Sequence, residues 1–258
     1  MDYWQRVEVP PDKTWLLPET RRGTITLMGG NTRSLSGLSK TAMSIRPQKI
    51  ARLSVLVPDT AKSLLAHIGS DQDISFLPST ASGELAPNTD FSLPLSISGV
   101  NVLFGDFGKN LALATALVQA VRDSETPTIL ARDALGTFIE EAELLLSQPT
   151  PNVLFFAPLP ALQDFLKSTF YPVVMTLSLP LNRYVEIFHK FTISYPSVRI
   201  LTFAAGHILV AVNGEVRTAS LPVRYTPMTI WGPEPLANLS TFTAWNGLEI
   251  DPILASFF

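Results

Sequence analysis

The sequence predicts an α/β fold: a mostly parallel central sheet with helices on both faces and an antiparallel hairpin near the C-terminus. Three observations predict it. From residue 98 onward, short apolar runs alternate with amphipathic stretches of about 10–15 residues, the rhythm of β-α-β units. Hydrophobic residues make up 46% of the 258 positions and charged residues only 16%, which suits strands buried on both faces. Asn213-Gly214 interrupts the apolar stretch 207–220 and marks a tight hairpin turn.

Taken in order, residues 1–22 are polar and bear prolines and aromatics. They are expected to form an arm pinned by Tyr3, Trp4 and Trp15 to the body or to a neighbouring subunit, ahead of a single domain over 23–258. Ile25, Leu27 and Met28 read as a buried strand ended by Gly29-Gly30, and 35–47 as a helix stopped by Pro47. A strand over 51–59 and a short helix over 60–69, closed by Gly69, follow. Residues 70–98 read as loop with a weak strand near 74–78.

The strand 98–108 then runs into a glycine-bearing turn, and 110–124 has apolar residues at helical spacing. Further strands are expected over 127–135, 151–160 and 198–206, with helices over 136–148, 161–170 and 181–191. The stretch 172–181 reads as an apolar strand or loop. Residues 233–247 read as a helix with proline in its first turn and Gly247 at its end. About eight strands result.

Composition excludes several functions. With no cysteine, disulfides, thiolate metal sites and a cysteine nucleophile are ruled out. His67, His189 and His207 are too dispersed to suggest a zinc site. A net charge of −3 gives no electrostatic case for nucleic acid or an anionic membrane. No apolar run reaches the ~18 residues of a membrane span, and no signal-peptide pattern opens the chain, so the expected compartment is the cytoplasm.

Motif order gives a more specific indication. RRGTITLMGGN carries Gly29-Gly30-Asn31, LFGDFG carries Gly105 and Gly108, and LARDAL carries Asp133. APLPAL and TFAAGH follow, and IWGPE opens the last long helix. In this order and spacing, residues 20–250 resemble the NAD(P)H-hydrate dehydratase family of the ribokinase-like superfamily. Its members use ADP or ATP hydrolysis to dehydrate a hydrated nicotinamide cofactor.

The resemblance implies the following correspondences. Asn31 stands for the serine of the family's Gly-Gly-Ser. Of the family's LDADAL, Asp133 survives while the first aspartate is Ala131. Leu159 and Leu162 replace the histidine and glutamate of TPHPGE. Phe203, Ala204 and His207 replace the lysine, first glycine and threonine of LKGAGT. The ungapped match of EPLANLSTFTAWNG to DVLAGIIAALLAQG puts Glu234 on the catalytic aspartate of GGTGD. Ile230, Trp231, Gly232 and Pro233 then stand where glycine amides and a helix N-terminus would hold phosphate.

The candidate ligand-binding residues are therefore Gly29, Gly30, Asn31, Gly105, Asp133 and Gly232, with Glu234 as the candidate catalytic base. Each has a plainer alternative. For Gly29-Gly30-Asn31 it is an ordinary β-α turn in place of a ligand cradle, and for Asp133 a cap on the next helix through the Gly136 and Thr137 amides. For Glu234 it is an acidic first-turn residue favoured by the helix dipole. His207 reads as structural and Lys109 as a solvated loop lysine.

The expected ligands are ADP or ATP and an NAD(P)H-type molecule. The combined losses favour an inactive protein with a binding or scaffold role. The alternatives are a ligand-binding protein or enzyme with changed chemistry around Glu234, and an active ADP/ATP-dependent dehydratase. Low charge, the terminal aromatics Trp4, Phe257 and Phe258, and the oligomers common in the family point to a homo-oligomer.

Overall fold

A computed structural model of the chain describes residues 2–8, 12–62, 73–147, 152–169, 171, 173–176 and 178–258. Ten strands form one sheet: β1 (Trp4–Val7), β2 (Thr24–Gly29), β3 (Arg52–Pro58), β4 (Asp73–Leu77), β5 (Val100–Phe104), β6 (Thr128–Ala131), β7 (Val153–Phe156), β8 (Val198–Ala204), β9 (His207–Val212) and β10 (Glu215–Ser220). Their order across the sheet is β1-β10-β9-β8-β7-β6-β5-β2-β3-β4. Every neighbouring pair is parallel except β8–β9 and β9–β10. The described helices are α1 (Leu35–Ile45), α2 (Ser92–Ser96), α3 (Leu111–Asp123), α4 (Ala134–Thr137), α5 (Ala142–Leu146), α6 (Leu159–Ser168), α7 (Leu181–Ser194), α8 (Pro233–Asn246) and α9 (Ile250–Ala255).

Strand alternation divides the core in two. Ile25, Leu27, Val100, Val102, Ile129 and Leu154 point to one face, where α1, α8 and α9 supply Leu38, Ile45, Leu239 and Ile253. Met28, Leu103, Leu130, Val153 and Phe155 point to the other, where α3, α6 and α7 supply Leu117, Phe165 and Phe188. Because successive side chains in a strand face opposite ways, the central strands are apolar at nearly every position and need a helical layer on each side. Each fully buried side chain of this kind stabilises the fold by about 1.5–3 kcal/mol.

Local signals act where the sequence suggests. Asn213 (φ 49) and Gly214 (φ 83) both take positive φ, as a two-residue hairpin turn requires. Asn110 caps α3 by accepting from the Leu113 amide at 3.2 Å. Gly247 takes φ 75 just past the end of α8.

Several expectations are corrected. Among the described residues the sheet has ten strands, where about eight were expected. Residues Trp4–Val7 join it as a parallel edge strand on β10, secured by Trp4 Nε1 donating to Thr218 Oγ1 at 3.0 Å and by Tyr3 stacked on His189 with centroids 3.5 Å apart. The helix expected over 136–148 is two short helices, α4 and α5. The chain turns between them, with Phe138 sunk in the core and the Glu141 carboxylate accepting from Thr115 at 2.6 Å. Around 172–181 the described residues contain no strand. The helix expected over 60–69 falls mainly on residues outside those described; only a 3-10 turn, Asp59–Ala61, is seen. Phe257 is buried at 0% exposure and Trp4 and Phe258 are half-buried, so these aromatics do not form the exposed surface expected of them. Among the described residues no helix is long and apolar enough to cross a membrane.

Candidate functional site

Parallel strands deliver their following loops to one edge of the sheet, and ligands of open α/β sheets bind at that edge. Here the carboxyl ends of β2, β5 and β6 enclose a cavity of about 330 Å³ lined by Asn31, Arg33, Ser34, Gly37, Phe104, Gly105, Asp106, Arg132 and Asp133.

Three of the sequence-derived candidates, Asn31, Gly105 and Asp133, thus meet in one place. Gly29 and Gly30 lie beneath it, buried at the end of β2. Gly30 is there for packing: a Cβ would lie 2.5 Å from the Asp106 carbonyl oxygen and 2.6 Å from the Phe107 ring. Gly105 takes φ 82 with Ser34 Oγ only 2.0 Å from where its Cβ would be, so the cavity wall at this point requires glycine.

Asn31 is 3% exposed and bonded within the protein through both side-chain heteroatoms. Its side-chain oxygen accepts from the Ser34 amide at 3.0 Å and from the Ser34 hydroxyl at 3.1 Å. Its Nδ2 donates to the Asp106 carbonyl, joining the turn after β2 to the turn after β5. Asn31 therefore shapes the cavity, with its side-chain oxygen and one of its two amide N–H groups spent within the protein.

Asp133 does not cap α4 through its side chain, the alternative raised by the sequence. The Gly136 amide bonds its main-chain carbonyl at 3.1 Å, and the carboxylate faces the cavity without a partner among the described residues.

Glu234 and Gly232 sit elsewhere, at the start of α8, and do not line the cavity. Arg132 spans the gap, its Nη1 lying 3.5 Å from the Trp231 carbonyl. At the α8 N-terminus the Gly232 amide donates to the Thr229 carbonyl at 2.9 Å, within a 3-10 turn. The next three residues are Pro233, Glu234 and Pro235, of which only Glu234 has an N–H. The Glu234 carboxylate is exposed and accepts from the Tyr225 hydroxyl at 3.4 Å. Burial raises the Tyr225 phenol above its ordinary value, opposed by the nearby Arg224 charge. Trp231 packs on Phe156 with centroids 5.0 Å apart, covering the end of β7.

Leu159 and Leu162, which the resemblance sets at the histidine and glutamate of TPHPGE, are part of the core on the α6 side of the sheet. His207 lies apart from the cavity and bonds the Ala205 carbonyl through Nδ1 at 2.8 Å. Lys109 lines a neighbouring hollow between the β5 turn and α4.

Sequence reasoning missed Arg33, Asp106 and Arg132. Arg132 carried a legible signal: it is a charged residue placed directly after the wholly apolar strand β6, at its carboxyl end. It takes φ 53, a conformation that long side chains rarely adopt.

Sheet order, the two helical layers and a cleft at the strand carboxyl ends give the chain a ribokinase-like α/β fold. Solved structures agree. A ribokinase-like superfamily protein from Enterococcus faecalis superposes with a TM-score of 0.70 at 12% identity, over 99% of this chain and 85% of that one. The ADP/ATP-dependent NAD(P)H-hydrate dehydratase from Bacillus subtilis, co-crystallized with ATP and Mg2+, gives a TM-score of 0.60 at 10% identity, over 96% and 82%. Adenosine kinase from Trypanosoma brucei brucei gives 0.54 at 11% identity, over 98% and 93%. At these identities the likeness is one of fold. No protein-family model matches the chain, and no curated protein sequence matches it.

Proposed function

We propose that this chain is a ribokinase-like pseudoenzyme: a binding or scaffold protein related in structure to the NAD(P)H-hydrate dehydratases but lacking their nucleotide-dependent chemistry. The observation that carries this reading is the start of α8. Phosphate held at a helix N-terminus needs several inward-pointing amides and close backbone approach. Here Pro233 and Pro235 have no N–H and the Gly232 amide is already bonded, so Glu234 alone is left to donate.

A second reading, a remodelled enzyme with Glu234 as base, is favoured by one observation: that carboxylate is exposed and has only a long contact to Tyr225. Against it, an anion hole is a cooperative device. Loss of a single donor of that type costs roughly 100- to 1000-fold in rate.

The reading is tested by thermal unfolding with ADP, ATP, AMP and NADPH. A ligand at 100 times its dissociation constant stabilises a fold by about 2.7 kcal/mol. ADP and ATP are expected to leave the midpoint unchanged; a saturable rise with either contradicts the proposal. A cytoplasmic location and a homo-oligomeric state belong to the same proposal, the latter supported by the exposed apolar side chains Trp15, Val223 and Met228.

A further inference from the structure

The cavity lining holds two guanidinium groups, Arg33 and Arg132, and two carboxylates, Asp106 and Asp133. Two of the four are partly committed. Arg33 reaches Glu84 at 3.4 Å, and Asp106 accepts from the Gly108 amide at 2.8 Å. Arg132 is held differently. Its amide donates to the Phe156 carbonyl at 2.8 Å and its own carbonyl accepts from the Leu135 amide at 3.2 Å, which fixes its backbone in the left-handed region. Among the described residues its side chain makes one hydrogen bond, to the Trp231 carbonyl at 3.5 Å, the outer limit of such a bond. Among the described residues its other guanidinium donors have no acceptor.

An arginine kept in an unfavourable backbone conformation, with its planar fork unfilled at the rim of a cavity, is arranged for a ligand. We propose that this cavity binds a small organic anion, and that Arg132, aided by Arg33, grips its carboxylate or phosphate group. The chemistry of the lining narrows the class. With Asp106 and Asp133 beside them, Arg33 and Arg132 suit a single small anionic head group better than the several clustered charges of a nucleoside di- or triphosphate. The carboxylates of Asp133 and Asp106 instead suit hydroxyl or ammonium donors elsewhere on the ligand. A volume of about 330 Å³ is small for a cofactor and matches a compact polar molecule. The half-buried Phe104 ring offers one apolar wall, close enough that a Cβ on Gly37 would lie 2.6 Å from it.

This inference rests on the reading that the cleft binds rather than catalyses, but the two fail separately. Dehydration turnover would defeat that reading, whereas this one stands or falls on a binding isotherm. The experiment is calorimetric titration of the full chain, at constant ionic strength, with inorganic phosphate, with glycerate as a hydroxylated carboxylate, and with glycerol as the neutral control. Wild type is expected to bind phosphate or glycerate saturably at millimolar concentration and not glycerol; which anion binds distinguishes the two head groups. Arg132→Gly and Arg132→Asn both tolerate the left-handed backbone, so either reports if the other does not fold. Each should weaken anion binding by roughly tenfold or more, as expected for loss of a charge-assisted contact. Equal affinity in wild type and these variants, or no saturable binding of either anion to wild type, overturns the proposal.

Discussion

The amide of Gly232 donates to the carbonyl of Thr229 at 2.9 Å, and this bond closes the turn that leads into α8. It removes a main-chain donor from the helix N-terminus that, in the reading proposed above, corresponds to the phosphate site of the dehydratases. The prolines on either side of Glu234 remove two more. The sequence change and the local geometry thus act in the same direction, and the consequences extend to stability, association and activity.

Gly30 and Asn31 make the first prediction. Gly30→Ala forces a methyl group against the Asp106 carbonyl and the Phe107 ring, and overpacking of that kind costs about 1–3 kcal/mol. Asn31→Ala leaves the Asp106 carbonyl and the Ser34 amide without their partner, at about 1–2 kcal/mol. Urea unfolding followed by circular dichroism measures both. Unchanged midpoints would show that these residues are free to serve a ligand.

Leu162 gives the second. The dehydratases resembled here carry glutamate at this position, but Leu162 is 1% exposed in the core of the α6 side. Leu162→Glu is expected to destabilise by more than about 4 kcal/mol, the cost of an unpaired buried charge. Leu162→Ala should cost about 2–5 kcal/mol. A folded Leu162→Glu protein of near wild-type stability would mean that this helix faces a solvated pocket.

How far this could be read from the sequence depends on the range of the forces involved. The strands β2 to β10 were legible, β4 only weakly, because apolar runs and turn residues such as Asn213-Gly214 act locally. Trp4–Val7 gives no such signal; it becomes a strand only through pairing with Val216–Ala219, more than two hundred residues away. Gly105, Asn31 and Asp133, singled out from the motifs, do lie together at the strand carboxyl ends. That Asn31 is spent on Ser34 and Asp106 depends on two loops meeting, which serial order does not encode. Leu159 and Leu162 were assigned to a pocket by correspondence with polar positions, and their burial shows that the segment after β7 is packed as core.

Association is the third prediction. Val223 and Met228 are exposed on the segment between β10 and α8, and Trp15 is exposed between β1 and β2. Light scattering at tens of micromolar should give a mass above that of a 28.2 kDa monomer. A monomeric mass removes the homo-oligomer from the account.

The central claim is the loss of nucleotide-dependent dehydration, and the direct test follows recovery of NADH from its hydrate at 340 nm with ADP or ATP present. Pro233, Pro235 and the bonded Gly232 amide leave one donor at the start of α8. Glutamate in place of aspartate shifts the carboxylate by about one methylene, a displacement that can cost about 100-fold. Activity is predicted to stay below detection in the wild-type chain. Turnover above background that disappears in Glu234→Gln would contradict the account and establish an enzyme.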